Sequence, residues 1–135
     1  VTPKDGEFAI VGGKQGIHSH TMTQNIACLN AISREYHMER LWISAQDAED
    51  LGVQTGDTVE VASSEHVGQV EARVTQRLKP GVVFLPTHYG GDSPAQTRAY
   101  RYGIALTDFI PFDMEPGVGS MMSQEVAVTV KKVEA

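Results

Sequence analysis

Short apolar segments with strict alternation, each bounded by turn residues, constrain the fold of this chain more than any other feature. In three of them the apolar residues fall at every second position, as in a half-buried strand: VEV at 59–61, VEARV at 70–74 and VAVTV at 126–130. EFAIVGG and RLWIS read as two further strands, and Pro80-Gly81, a pair typical of a type II turn, introduces another, VVFLP. Many short strands and few helices predict a small, mostly antiparallel barrel with one or two helices.

Two segments carry helical signals. The first is predicted to be helical over about residues 23–36, because its apolar residues recur near helical spacing. The second begins at Ser44, has Asp47 at the acidic third position of a capping box, and ends at Gly52. That pattern predicts a helix of two turns. The apolar positions behind the first prediction are Ile26, Leu29, Ile32 and Tyr36.

The size and charge of the chain exclude several classes of function. Its 135 residues suit a single domain with one hydrophobic core. A net charge of −6 argues against nucleic acid as a partner, because phosphate backbones attract basic surfaces. No apolar run reaches the roughly 20 residues of a membrane helix, and the polar start VTPKDGEF lacks the apolar core of a signal peptide. Cys28, the sole cysteine, has apolar neighbours, which predict a buried thiol.

The segment GGKQGIHSHTMTQN, residues 12–25, combines groups suited to an anionic ligand. Its glycines could present successive N–H groups as an anion-binding nest, and the N-terminus of the following helix would add positive potential. The alternative is a glycine-rich turn with exposed histidines. The residues concerned are Gly12, Gly13 and Gly16 for the nest, Lys14 as a charge, His18 and His20 as donors, and Thr21 and Thr23 as hydroxyls, Thr23 also capping the helix.

A second polar cluster, PTHYGGD, follows the apolar strand VVFL. His88 and Tyr89 could stack on a heterocycle or hydrogen-bond to it, although a histidine at a strand end can also be simple surface. His18, His20 and His88 together would supply three imidazoles, enough for a zinc or iron site. Against a metal, no carboxylate stands at a recognisable ligand spacing. No nucleophile elbow or phosphate-binding loop motif is present either, so the residues by themselves predict a binder and not a catalyst.

The stretch between Gly90 and Gln124 has no sustained period. A connection this long in a small domain is usually functional or partly disordered. Its aromatic and apolar content argues against simple disorder. We therefore expect residues 91–123 to be ordered by a ligand or by a neighbouring domain.

Residues 42–91, WISAQDAEDLGVQTGDTVEVASSEHVGQVEARVTQRLKPGVVFLPTHYGG, resemble the C-terminal module of the molybdopterin oxidoreductases related to dimethyl sulfoxide reductase. In that family a short helix precedes GD-x-V-x-V, a hairpin, and PG-x-V-x-x-P-x-H followed by an aromatic residue and glycine. The upstream GGKQGIHSH is similar to the family's first cofactor loop. The similarity runs from about Phe8 to Val133.

This resemblance implies a fold and a cofactor. The fold is a six-stranded double-psi β-barrel, and the module closes over a bis(molybdopterin guanine dinucleotide) cofactor that carries molybdenum or tungsten. The metal is held by an upstream domain, so the resemblance places no catalytic residue and no metal ligand in this chain. The residues implied to meet the cofactor are Gly12, Gly13, Lys14, His18, His20 and Thr21 from the first loop, and His88, Tyr89 and Gly90 from the strand end.

Two further segments correspond to the family with differences. Many relatives carry N-x-L-T in the long loop, whereas TDFIP here puts Thr107 in the asparagine position, followed by Asp108; IALT one frame earlier is the alternative. GSMMSQEVAV is similar to the corresponding segment of thiosulfate and polysulfide reductase catalytic subunits. This similarity implies that Gln124 and Glu125 lie near the cofactor.

The resemblance leaves the context of the chain open. The start at Val1 favours the C-terminal fragment of a longer catalytic subunit, whose partners would be its other domains and an iron–sulfur electron-transfer subunit. A stand-alone small subunit, like that of formylmethanofuran dehydrogenases, is the alternative. A non-enzymatic double-psi barrel that binds protein partners, as in hexameric ATPases, is another. The location would be periplasmic for a sulfur-compound reductase and otherwise cytoplasmic.

Overall fold

The alternating segments form the strands of one sheet. The computed structural model describes residues 2–20, 22–124 and 126–134. Its elements, in chain order, are β1 Glu7–Gly13, α1 Ala27–Glu35, β2 Leu41–Ser44, α2 Ala45–Leu51, β3 Thr58–Ala62, β4 Val67–Thr75, β5 Val82–Pro86 and β6 Val126–Lys132, with a 3₁₀ turn at Leu106–Phe109.

The sheet closes on itself in the order β1-β5-β2-β4-β3-β6. Two neighbouring pairs are parallel, β1 with β5 and β2 with β4, and the other four are antiparallel. The parallel pairs require crossovers between strands that are distant in sequence, which hairpins cannot supply. Closure leaves no exposed strand edge in the barrel. The prediction of a six-stranded double-psi β-barrel with two short helices is confirmed.

Alternate residues of the strands point into the barrel, and most of them are buried there. Phe109, from the 3₁₀ turn, is also fully buried. Its ring lies edge-on to His66, with centroids 5.0 Å apart. The long connection after β5 therefore contributes to the core as well. The strand residues that form the core include Ile10, Leu41, Ile43, Val59, Val61, Val70, Ala72, Val83, Leu85, Val126, Val128 and Val130.

The start and end of α2 are as predicted. The Asp47 amide donates to Ser44 Oγ at 3.1 Å, and the Ser44 hydroxyl donates to the Asp47 carboxylate at 2.7 Å. Gly52 ends the helix in the left-handed conformation, with φ at 65°. The Asp47 carboxylate also accepts from the Gly81 amide at 2.9 Å, which ties this helix to the turn before β5.

The prediction for α1 is wrong in two respects. The helix begins at Ala27, and Thr23 does not cap it, because Thr23 Oγ1 accepts instead from the Ser19 amide at 2.9 Å. Its apolar face also points outward, so Cys28 is exposed and not buried. Of its residues, the polar Asn30 and Ser33 are buried, since they hydrogen-bond within the fold. The outward apolar side chains at and beside the helix include Ile26, Ile32 and Tyr36.

The connection between β5 and β6 divides into two parts. Residues around Ala99, Leu106 and Phe109 are buried against the barrel. Farther along, Met114 and Met121 form an isolated bridge, and both side chains are about half exposed. Across the described residues, no helix is both long and apolar enough to cross a membrane.

Candidate functional site

The two polar clusters meet because β1 and β5 are parallel neighbours that end side by side. The register pairs Gly13 with Pro86. Immediately beyond the pair, the Thr87 amide and hydroxyl both donate to the Gly13 carbonyl, at 2.9 and 3.1 Å. The residues that follow each strand, 14–20 and 88–91, therefore lie at one end of the barrel. This adjacency depends on a pairing between segments about 74 positions apart.

The glycines at the end of β1 do not form an anion-binding nest. Gly12 and Gly13 lie within the strand, and neither they nor Gly16 has a positive φ. Packing explains the first two. A Cβ on Gly12 would lie 2.1 Å from Leu106 Cδ2, and one on Gly13 would lie 2.8 Å from Phe84 Cε2. The nest predicted from the sequence is wrong, because Gly12 and Gly13 serve close packing and none of the three glycines adopts the left-handed conformation.

His20 and His88 face each other across the two strand ends. Their ring centroids are 5.8 Å apart, and Lys14 Nζ lies 3.5 Å from His20 Nε2. Both histidines have positive φ, 51° and 76°. Such backbone conformations are uncommon outside glycine and concentrate at functional sites. Thr21, predicted to lie beside them, is outside the described residues.

His18 is buried beneath this pair. Its Nδ1 lies 3.2 Å from Thr23 Oγ1, and its ring meets Tyr89 edge-on at 5.9 Å. Burial lowers the pKa of His18, and the nearby His88 lowers it further. Burial likewise lowers the pKa of His88, with smaller effects from the charges of His20 and Lys14. Both imidazoles are therefore neutral at pH 7.

The Nε2 atoms of His18 and His88 are buried and have no hydrogen-bond partner among the described residues. A buried polar atom left unpaired costs about 1–3 kcal/mol. A ligand that supplied the missing partners would recover that free energy. The site is thus prepared to donate to, or accept from, the polar edge of a bound molecule.

Tyr89 is held from behind by a buried polar network. Its hydroxyl lies 2.7 Å from Ser33 Oγ in α1, and its ring packs edge-on against Tyr102 at 5.5 Å. The Tyr102 hydroxyl donates to the Glu39 carboxylate, and the Arg34 guanidinium lies 4.1 Å from the centre of the Tyr102 ring. Burial and the Glu39 carboxylate raise the pKa of Tyr102, so its hydroxyl stays protonated.

Gly90 completes the strand end. Its amide donates to the Tyr102 carbonyl at 2.7 Å, and its φ is +77°. A Cβ there would lie 2.3 Å from the backbone nitrogen of Ala105. Here a glycine is needed both for conformation and for close approach.

A cleft of about 300 Å³ opens beside His88 and Tyr89. Thr107, which takes the place of the family's asparagine in the long loop, is on the wall of this cleft. Two glutamines on the wall were not predicted. Gln24 directly follows the histidine loop, in TMTQN, and this position could have indicated a role at the site. Gln96 carries no such signal in the sequence. The residues around the cleft are Gln24, Thr87, His88, Tyr89, Gly91, Gln96, Ala105, Leu106 and Thr107.

Other predicted residues lie elsewhere. Asp108 lines a second groove, with His66 and Arg101. Gln124 lines a third, with Glu115 and Met121, and not the cleft. Glu125 is outside the described residues.

The three-histidine metal site does not form among the described residues, since the imidazoles of His18, His20 and His88 do not converge. Among the described residues, one other group brings three potential ligand atoms within 4.8 Å of one another. It consists of His37, Glu39 and Glu71. The Glu71 carboxylate is already engaged there by the Arg40 guanidinium, at 2.7 and 2.8 Å.

Comparison with known proteins agrees with this geometry. The family profile of the molybdopterin dinucleotide binding domain matches residues 8–123. The thiosulfate reductase molybdopterin-containing subunit PhsA of Salmonella typhimurium is 24% identical over 119 residues, covering 88% of this chain and 15% of the relative. The F420-dependent formate dehydrogenase subunit alpha of Methanocaldococcus jannaschii is 34% identical over 91 residues, covering 67% of this chain and 13% of the relative.

A solved structure is similar over nearly the whole chain. It is the acetylene hydratase of Pelobacter acetylenicus, with a TM-score of 0.75 and 11% identity, covering 96% of this chain and 19% of that protein. At this identity the likeness concerns the fold. The family match covers residues 8–123, and within it β1 and β5 bring the two predicted cofactor loops to one end of the barrel. The chain belongs to the molybdopterin dinucleotide binding domain family, whose cofactor is molybdopterin guanine dinucleotide.

Proposed function

We propose that this chain binds and buries a bis(molybdopterin guanine dinucleotide) cofactor as the C-terminal module of a longer molybdenum or tungsten oxidoreductase. The observation that carries the proposal is the meeting of the two predicted cofactor loops at one end of the barrel. There, His18 Nε2 and His88 Nε2 are buried and find no partner within residues 2–20, 22–124 and 126–134. The chain spans 15% and 13% of the two curated relatives described above, which supports a module within a larger subunit.

The residues present fit such a cofactor. Unpaired nitrogens on His18 and His88 suit the polar edges of a pterin or purine ring, and Tyr89 adds an aromatic wall. Lys14 is exposed, with its ammonium 3.5 Å from His20 Nε2, and a cation in that position suits a pyrophosphate. When bound, the cofactor supplies redox chemistry at a metal held by groups outside this chain. The residues of the chain would hold the ring and exclude water around it.

A thiosulfate or polysulfide reductase is the first candidate for the parent enzyme. Its support is the match to the Salmonella typhimurium relative over 88% of the chain and the resemblance of GSMMSQEVAV. On this proposal the chain works beside the other domains of its subunit and an iron–sulfur electron-transfer subunit, in the periplasm.

A formate dehydrogenase is the second candidate. The observation in its favour is the higher identity to the Methanocaldococcus jannaschii relative, 34% over 91 residues. The formate dehydrogenase major subunit of Escherichia coli is likewise 33% identical over 132 residues.

Native purification tests the proposal. An antibody raised against this chain should capture from the source cells a polypeptide several times heavier than 14.7 kDa. That polypeptide should contain molybdenum or tungsten by mass spectrometry and release guanosine monophosphate on acid hydrolysis. Thiosulfate or polysulfide reduction, against formate oxidation, then separates the two candidates. A captured protein without metal and without guanine would overturn the proposed function.

A further inference from the structure

We propose that the carboxamide of Gln24 binds the polar edge of the cofactor's heterocycle in the cleft, while the phosphates lie outside at Lys14. The edge is the 2-amino-4-oxopyrimidine that guanine and pterin share. This inference rests on the proposed function and assigns a ring-binding residue within the same site.

Gln24 is a buried polar residue with an unused donor. Its side chain is on the wall of the cleft, only 3% of the residue is exposed, and Nε2 has no hydrogen-bond partner in the part of the chain that the structure describes. A carboxamide carries a donor and an acceptor side by side, so it can form two parallel hydrogen bonds with a ring edge that offers a carbonyl beside an N–H. Burying Gln24 unpaired is costly, and a ring in the cleft would supply the partner.

The backbone of Gln24 is fixed by the polar face of α1. Asn30 Nδ2 donates to the Gln24 carbonyl at 3.1 Å, and Arg34 Nε in turn donates to Asn30 Oδ1 at 3.0 Å. The buried polar residues of α1 therefore have a structural use, since they hold the glutamine at the cleft. A fixed backbone lowers the conformational entropy that the side chain loses on binding a ligand.

The walls of the cleft favour a neutral ring over a phosphate. The lining consists of two carboxamides, two threonine hydroxyls, rings and aliphatic groups, and it contains no lysine, arginine or carboxylate. The nearby histidines His18 and His88 are neutral at pH 7, as argued above. A volume of about 300 Å³ is at the lower end for ligand clefts, so it suits one ring system and not a whole dinucleotide. The exposed Lys14, at the rim, is left for the phosphate groups.

The test measures binding of three probes, two with the shared edge and one without it, to the 135-residue chain and its variants by titration calorimetry. Guanosine monophosphate and pterin-6-carboxylate each carry the shared edge. Purine riboside monophosphate has the same ring and phosphate without that edge. Gln24→Met should weaken binding of at least one edge-bearing probe by about tenfold and leave the purine riboside probe unchanged. Gln46→Met, an exposed glutamine on α2, is the matched control and should change nothing.

The outcomes separate the inference from the proposed function. Loss confined to guanosine monophosphate assigns the cleft to guanine, and loss confined to pterin-6-carboxylate assigns it to the pterin. If the edge-bearing probes bind to the parent chain and to Gln24→Met equally well, the inference is overturned and the proposed function stands. If a circular dichroism spectrum shows that Gln24→Met is unfolded, Gln24→Glu replaces it, because glutamate keeps the shape of the side chain but lacks the N–H donor. A changed preference of Gln24→Glu among the probes supports the inference. Unchanged affinities overturn it. Failure of the parent chain to bind any probe at millimolar concentration counts against both.

Discussion

Ser33 and Tyr89, 56 positions apart, share a buried hydrogen bond of 2.7 Å that joins α1 to the strand end beside the cleft. Helix α1 makes few apolar contacts with the barrel, because its apolar side chains point outward. Polar contacts of this kind therefore hold the helix in place. Their strength can be measured without any ligand.

Replacing either partner should destabilise the chain, and the two losses should not add. We expect Tyr89→Phe and Ser33→Ala each to lower the free energy of unfolding by about 1–2 kcal/mol. Each variant removes one of the two buried hydroxyls and leaves the other without its partner. The double variant should lose less than the sum, with a coupling of about 1 kcal/mol. Urea unfolding of the parent chain, the two single variants and the double variant measures this coupling. Tyr36→Phe, at an exposed position directly after α1, is the control. Full additivity would contradict the hydrogen bond.

Gly12→Ala should destabilise the barrel through overpacking. The new Cβ would lie 2.1 Å from Leu106 Cδ2, so the Leu106 side chain or the 3₁₀ turn that carries it must shift, at a cost of about 1–3 kcal/mol. Gly16→Ala, whose Cβ would meet nothing within 4 Å, should be nearly neutral in the same unfolding measurement. Adding Leu106→Val to Gly12→Ala shortens the neighbouring side chain, so the double variant should recover part of the lost free energy of unfolding. Equal stability of the two single variants would show that the strand does not pack as described.

Acid should weaken the fold through two histidines, the buried His18 and the partly buried His88. Burial lowers the pKa of His18 and of His88 below the ordinary 6.5. The unfolded chain therefore takes up protons that the folded chain refuses, so stability is full above pH 6.5 and falls as the pH drops below it. Proton NMR of the imidazole Cε1–H signals gives each pKa directly. A value at or above 6.5 for both residues would refute the sign of this effect.

Removing the His88 imidazole should release cofactor without unfolding the barrel. His88→Asn is the suitable change, because asparagine tolerates the positive φ of 76°. In the native cofactor-loaded polypeptide we expect a clear fall in molybdenum or tungsten per chain. His37→Asn is the matched control, since His37 is exposed and also has a positive φ, 49°. Unfolding of the first variant, and not of the control, would instead assign His88 a structural role.

The exposure of Cys28 can be checked with a thiol reagent. Because the residue lies on the outward face of α1, it should react with dithionitrobenzoate in native buffer at a rate close to that in denaturant. Cys28→Ser should abolish the signal. Protection in the native chain would mean that the helix is turned the other way.

Local sequence signals predicted the strands and α2 well, because their hydrophobic faces and caps are formed by neighbours in sequence. Val59 and Val61 are fully buried as their alternation indicates, and Ser44 and Asp47 cap α2. The parallel pairing of β1 with β5 has no local signal and was not predicted.

The signals failed where distant groups decide the outcome. Helix α1 buries Asn30 because the carbonyl of Gln24 accepts from it, and no periodicity encodes that contact. Gly12 and Gly13 suggested a nest, but their neighbours Leu106 and Phe84 come from other segments. Gln24 and Gln96 enter the cleft from two loops, so neither could be assigned from spacing alone.

The bond between Thr87 and Gly13 also bears on the order of events during synthesis. It closes a loop of 74 residues, and β1 is further paired with β6, the last strand of the chain. Such non-local pairings form slowly and late, because the chain must lose loop entropy before they yield contacts. A nascent chain that has not yet released β6 therefore cannot close the barrel. On the proposed function, we expect cofactor insertion to follow translation of β6, which would make it a post-translational step for this domain.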